Sequence, residues 1–143
     1  MAHFSFIGRF TKPFYMKPIF TLALIAFVFI AGAFTALRGL DDVINALKTG
    51  NATELAKYVD DNIEISLPDK SDSYSRAQAL MILQDFFANN GVRNFTVTHK
   101  GDNGGSQFCI GTLTTRAGKY RTTVFMKTKN GKQLVKEIRF QST

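Results

Sequence analysis

The sequence predicts an α+β domain in which a strongly curved antiparallel sheet wraps around N-terminal helices. Two tight glycine turns, Arg116-Ala117-Gly118-Lys119 and Lys129-Asn130-Gly131-Lys132, divide Ser106 to Phe140 into three strands. Asn-Gly is the strongest short hairpin signal, because both central residues take positive φ. Gly111 inside the first of these strands predicts a bulge or bend, the device by which a sheet curls. Amphipathic helical periodicity comes earlier in the chain, so helices and strands are segregated, as in an α+β fold.

The 143 residues suit one domain with an N-terminal extension, and the boundary is placed between residues 36 and 37. From Pro18 to Ala36 there is no charged residue, and Lys17 precedes the run. A basic residue, an apolar stretch from Ile19 to Ile30 and the small residues Ala31, Gly32 and Ala33 follow in the order of an export signal. Cleavage is expected near Ala33 or Ala36, giving a periplasmic or secreted domain over 37–143. The alternative is an uncleaved inner-membrane anchor over Ile19 to Leu37, which just spans a bilayer. Met16-Lys17 resembles a conventional start, so Met1 and Met16 are both candidate starts.

In the mature region, Leu40, Val43, Ile44 and Leu47 recur at helical spacing, with Asp41 and Asp42 in the first turn and Gly50 past the end. Asn51-Ala52-Thr53-Glu54 opens a short helix through Leu55, Ala56 and Val59, with Asn51 as the capping acceptor. Asp60-Asp61-Asn62 is expected to turn the chain. Ile63, Ile65 and Leu67 then alternate with polar residues as a half-buried strand stopped by Pro68.

Asp69 to Tyr74 reads as a polar loop. Ser75 and Gln78 form a capping box for a helix from Arg76 to Asn89, with Gly91 as its stop. Apolar residues cover most of this helix's circumference, so it is expected to be buried on nearly all sides in the hollow of the sheet. Strand alternation puts Phe95, Val97 and His99 on one face; Tyr120, Thr122, Val124 and Met126 on one face; and Leu134, Lys136, Ile138 and Phe140 on one face. Lys136 is then a cation on a buried face. It is expected to pair with Glu64 or Asp85, to bind an anionic ligand, or to extend its ammonium to the mouth of the fold.

The order of elements, with the segments ALKTGNATELAKYVDDNIEISL and NGKQLVKEIRF, resembles the nuclear transport factor 2-like superfamily over about 105 residues, from Arg38 to the end. The leader and the helix YSRAQALMILQDFF make the chain similar to a small bacterial family of exported domains without an assigned function. The resemblance implies a cone with a pocket at its open end and, often, a homodimer through the outer sheet face. Members of the superfamily include isomerases, dehydratases, transport factors and non-catalytic binders, so the fold does not fix an activity.

Two functional readings follow. The first is non-catalytic binding of a small apolar or anionic ligand, or of an envelope protein, with Phe87, Val97, His99, Met126 and Lys136 lining the pocket. The second, which the resemblance implies, is a small isomerase or dehydratase pairing His99 with a carboxylate such as Asp85. A purely structural dimer with a filled cone is a third. No cofactor is expected. One histidine and one cysteine in the mature region fall short of a zinc site, and Gly101 to Gly105 opens no helix that could cradle phosphate. Cys109 has no partner for a disulfide.

The formal net charge is +7, with acidic residues concentrated before Val92 and basic ones after it. The basic half matches either a solvated face with lysine-guarded edges or a surface for an anionic partner such as polysaccharide or phospholipid headgroups. No nucleic-acid partner is expected, because the basic strands lack the interleaved aromatic platforms such binding uses.

Overall fold

The computed structural model describes residues 39–143. The export signal expected over 1–36, its cleavage site and the two candidate starts lie outside the described residues. The elements are helix α1 (residues 39–49), α2 (Ala52–Ala56), β1 (Val59–Ser66), β2 (Ser71–Ser75), α3 (Arg76–Asn90), β3 (Val92–Asn103), β4 (Ser106–Thr115), β5 (Gly118–Lys129) and β6 (Lys132–Ser142).

The six strands form one sheet in the order β2-β1-β6-β5-β4-β3. The meander from β3 to β6 is antiparallel, and its turns are where the sequence puts them: Thr115 pairs with Gly118, and Lys129 with Lys132. Asn130 and Gly131 both have positive φ, at 52° and 75°, as a two-residue hairpin turn of this hand requires. The expectation of a wholly antiparallel sheet is corrected at one seam, since β1 runs parallel to β6. Alternation along a strand reports which face is buried and carries no information on the direction of the neighbour.

Three local expectations also change. Asp60-Asp61-Asn62 lie within β1, whose register against β6 shifts between Val59 and Glu64. Val59 belongs to β1 rather than to α2. The polar stretch Ser71–Ser75 is an edge strand paired to β1, with a hydroxyl contact between Ser66 and Ser71 and Tyr74 packed against the core.

Gly111 marks a bend, as its position suggested. A Cβ there would lie 2.4 Å from the Thr96 carbonyl oxygen and 2.7 Å from the Phe95 ring. Opposite it, the β3 register skips from Val97 to His99 and leaves Thr98 as the bulged residue.

Among the described residues the core gathers Val43 and Leu47 of α1, Leu55 of α2, Leu83 and Phe87 of α3, and Phe95, Leu113, Val124, Met126, Ile138 and Phe140 of the sheet, all buried. The expectation that α3 is covered on nearly all sides is corrected as well: Ala79, Leu83, Phe86 and Phe87 are buried, while Ala77, Gln84, Asp85 and Ala88 are exposed and Met81 is 64% exposed. Alanine and a flexible methionine tolerate water at small cost, so an apolar circumference did not require burial.

Candidate functional site

Inside the curve of the sheet, side chains from α3 meet those of the central strands. The Ser75 hydroxyl accepts from the Gln78 N–H, the Gln78 side chain accepts from the Ser75 N–H, and Gly91 at φ 69° closes the helix. Caps at both ends fix the position of Phe86 and Phe87 along the axis. The Phe86 ring lies 4.5 Å from Phe140 and 5.3 Å from Tyr120, centre to centre, and Phe87 meets Phe140 edge-on at 6.2 Å. The Tyr120 hydroxyl donates to Asn90 Oδ1 at 2.7 Å, and Asn90 Nδ2 donates to the Phe86 carbonyl at 2.7 Å. Aromatic side chains and a satisfied polar pair occupy the space at this end of the curve.

The expected pocket residues are dispersed. Phe87 is buried in the aromatic cluster. Val97 is half-buried opposite Gly111. Met126 is fully buried, with its methyl under the start of α1 near Gly39.

His99 is exposed on the other side of the sheet. The Thr98 bulge shifts the parity of β3, so His99 pairs with Ile110, and Ile110 with Thr123, which alternates with the buried Thr122 and Val124. Asp85 is exposed on α3, on the concave side, beside a hollow of about 320 Å³ with Leu67, Ile82 and Asn89. The sheet stands between His99 and Asp85, and the structure does not bring them together.

Lys136 has a different explanation from the one its parity suggested. In the β5–β6 ladder Phe125 pairs with Glu137 and Met126 with Val135, so Lys136 is the extra residue of a bulge, and Val135 takes the inward place expected for Leu134. Its Nζ donates to Asp60 Oδ2 at 2.7 Å, rather than to Glu64 or Asp85. Lys129 Nζ donates to Asp60 Oδ1 at 3.1 Å, as does the Asp61 N–H at 2.8 Å. Only 3% of the Asp60 side chain is exposed. The Lys136 hydrogen bond, then the Asp61 N–H, hold its carboxyl well below the usual carboxylate range, against the opposing effect of burial. Asp60 in turn raises the Lys129 ammonium. Both carboxylate oxygens are engaged, so the cluster is a structural tie between β1, β5 and β6. Cys109, fully buried, has its thiol pushed up to about 11 by burial, which keeps it unreactive.

The outer face of β4 and β5 carries what the interior lacks. Phe108 pairs in register with Phe125, and the two project away from the core: Phe125, between buried Val124 and Met126, is 38% exposed, and Phe108 is half-buried. The Phe108 ring lies over Gly101, where a Cβ would come within 2.1 Å of it. Around this pair stand Ile110, Thr112 and Thr123, half-buried, with His99, Arg121 and Lys127 exposed. The signal for the pair was present in the sequence, and it corrects the expectation that the basic strands carry no exposed aromatic among their cations. Counting seven residues back along each strand from the Thr115–Gly118 turn puts Phe108 opposite Phe125.

Elsewhere, a hollow of about 640 Å³ lies between the α1–α2 junction and α3, bounded by Thr49, Asn51, Gln84 and Phe87. Among the described residues no group of three or more histidine, cysteine or acidic side chains gathers as a metal site would require.

The model of a domain of unknown function, DUF4783, matches residues 40–141. The chain belongs to the DUF4783 family. Solved DUF4783 structures from Bacteroides uniformis and Bacteroides fragilis are 34% and 36% identical to this DUF4783 chain, with TM-scores of 0.70 and 0.68. They cover 72% and 71% of it, and 95% and 96% of their own chains. The crystallised chains of these relatives are little more than the matched domain. A putative ketosteroid isomerase from Kribbella flavida, 20% identical, covers 74% of the chain and 76% of its own with a TM-score of 0.57, a likeness of fold alone. The fold is that of the nuclear transport factor 2-like superfamily. No curated protein matches the chain.

Proposed function

We propose that this DUF4783 protein is an exported, non-catalytic binding domain that works through the outer face of its sheet. One observation carries the reading: Phe86, Phe87, Phe140 and Tyr120 pack against one another inside the curve, while Phe108 and Phe125 stand side by side outside it. Export rests on the apolar run after Lys17. A catalytic pair is not favoured, because His99 and Asp85 lie on opposite sides of the sheet and neither meets a second titratable group within hydrogen-bonding reach among the described residues. Neither hollow described above is lined by more than one of the residues expected to hold a small ligand, Phe87, Val97, His99, Met126 and Lys136.

Thermal denaturation of residues 38–143 with a panel of apolar small molecules and steroids tests the reading. No saturable rise in Tm is expected. A rise that Phe87→Ala enlarges or abolishes would place the working surface inside the cone and overturn the proposal.

Self-pairing is the second reading, favoured by the apolar centre that Phe108, Ile110 and Phe125 present. Sedimentation velocity decides it: a dimer that Phe125→Asp dissociates, without loss of helix content, would support it.

A further inference from the structure

We infer that the outer face of β4 and β5 is a binding site for an acidic polysaccharide, a deepening that rests on the outer-face reading above. Three features of this face converge on that chemistry. The first is a pair of outward-facing aromatic side chains in register, Phe108 and Phe125, with Gly101 letting the Phe108 ring lie down on the strand. The C–H face of a sugar ring carries partial positive charge and stacks on the negative face of an aromatic ring.

The second is charge. Arg121 and Lys127 lie on the same face of β5 as Phe125, four and two residues from it, and neither is in an ion pair among the described residues. At the strand rise they stand about 20 Å apart along one line with the aromatic pair between them. Lys119 extends the row. By contrast Lys129 and Arg139 are engaged by Asp60 and Glu137. The unpaired charge along the aromatic pair is therefore positive, which favours a polyanion and opposes a second copy presenting the same row.

The third is hydroxyl density. Thr112, Thr114 and Thr123 line the same face and offer donors and acceptors to ring hydroxyls. A polyanion without sugar rings uses the cations and leaves the aromatic pair and the threonines idle.

The test is an amide chemical-shift titration of residues 38–143 with polygalacturonate oligomers, alongside polyglutamate and a single-stranded oligonucleotide of matched charge. Shifts centred on Phe108, Arg121, Phe125 and Lys127, lost at about 0.5 M salt, are the expected result. Phe125→Leu keeps the apolar volume and is expected to weaken binding about tenfold, the worth of one aromatic stacking contact. Arg121→Ala with Lys127→Ala, both exposed and harmless to the core, is expected to abolish it. Equal binding of polyglutamate or the oligonucleotide, or no shifts with the polysaccharide, overturns the inference while leaving the outer-face reading intact. Shifts confined to Phe87, Leu113 and Met126 overturn both.

Discussion

Asp60 ties β1 to β5 and β6. Its carboxylate is nearly sealed from water and receives three hydrogen bonds, two from lysines on strands distant in sequence. Asp60→Ala is expected to cost about 2 kcal/mol, within the range for hydrogen bonds to a charged group, read as a lower urea midpoint at unchanged slope. The Asp60 contribution is fully present above its unfolded value of 3.8 and is lost as pH falls toward its lower folded value, because the unfolded chain then binds the proton first. Asp60→Asn is therefore expected to flatten the loss of stability below about pH 4, and an unchanged acid limb in urea titrations would contradict this. Tyr58 has the opposite sign. Its hydroxyl donates to Asp42 and, mainly through that bond, is pushed up to about 12. Its contribution holds below pH 10 and fades as the pH rises toward 12, so ultraviolet titration should lose one late-titrating tyrosine in Tyr58→Phe. Both partners of Lys136 that parity suggested were too local a reading. A bulge displaces the side chain by one place, and nothing in an isolated strand announces on which residue the ladder will slip.

At the scale of elements, the hairpins and helix caps were legible because each depends on a few adjacent residues: Ser75 with Gln78, Asn51 with Glu54, Asn130 with Gly131. The face of β3 after its bulge and that of β6 before its own were not, since one extra residue inverts the side chains on one side of it relative to the other. That inversion moves His99 from the interior to the surface and dissolves the candidate site built on it. Gly111 did announce its bend, and the structure supplies the reason in the Thr96 carbonyl and the Phe95 ring pressed against it. Gly111→Ala is expected to destabilise by about 2–3 kcal/mol, as overpacking against backbone and core does, with a lowered Tm as the readout. Ser75→Ala, which removes the acceptor of the α3 capping box, is expected to cost about 1 kcal/mol.

For the molecule as a whole, the acidic first half and the basic second half meet where β1 joins β6, at Asp60, Lys129 and Lys136. The split in charge that the sequence displays is thus partly internal pairing and partly an unpaired row on the outer face. Composition alone does not separate the two, because it does not say which lysines face a carboxylate. Removing residues 131–143 should leave β1 and β2 without their partner strand, and the shortened domain is expected to show no cooperative thermal transition by circular dichroism.

The parallel seam between β1 and β6 also sets a schedule. Of the described strands the first waits for the last, so the sheet closes only once residues 132–142 are available, and contacts this remote in sequence form late. A chain synthesised from its N-terminus therefore stays open, with its central strand missing, until β6 has been made. Under the export proposed above, that delay keeps the polypeptide in the state a translocation channel accepts.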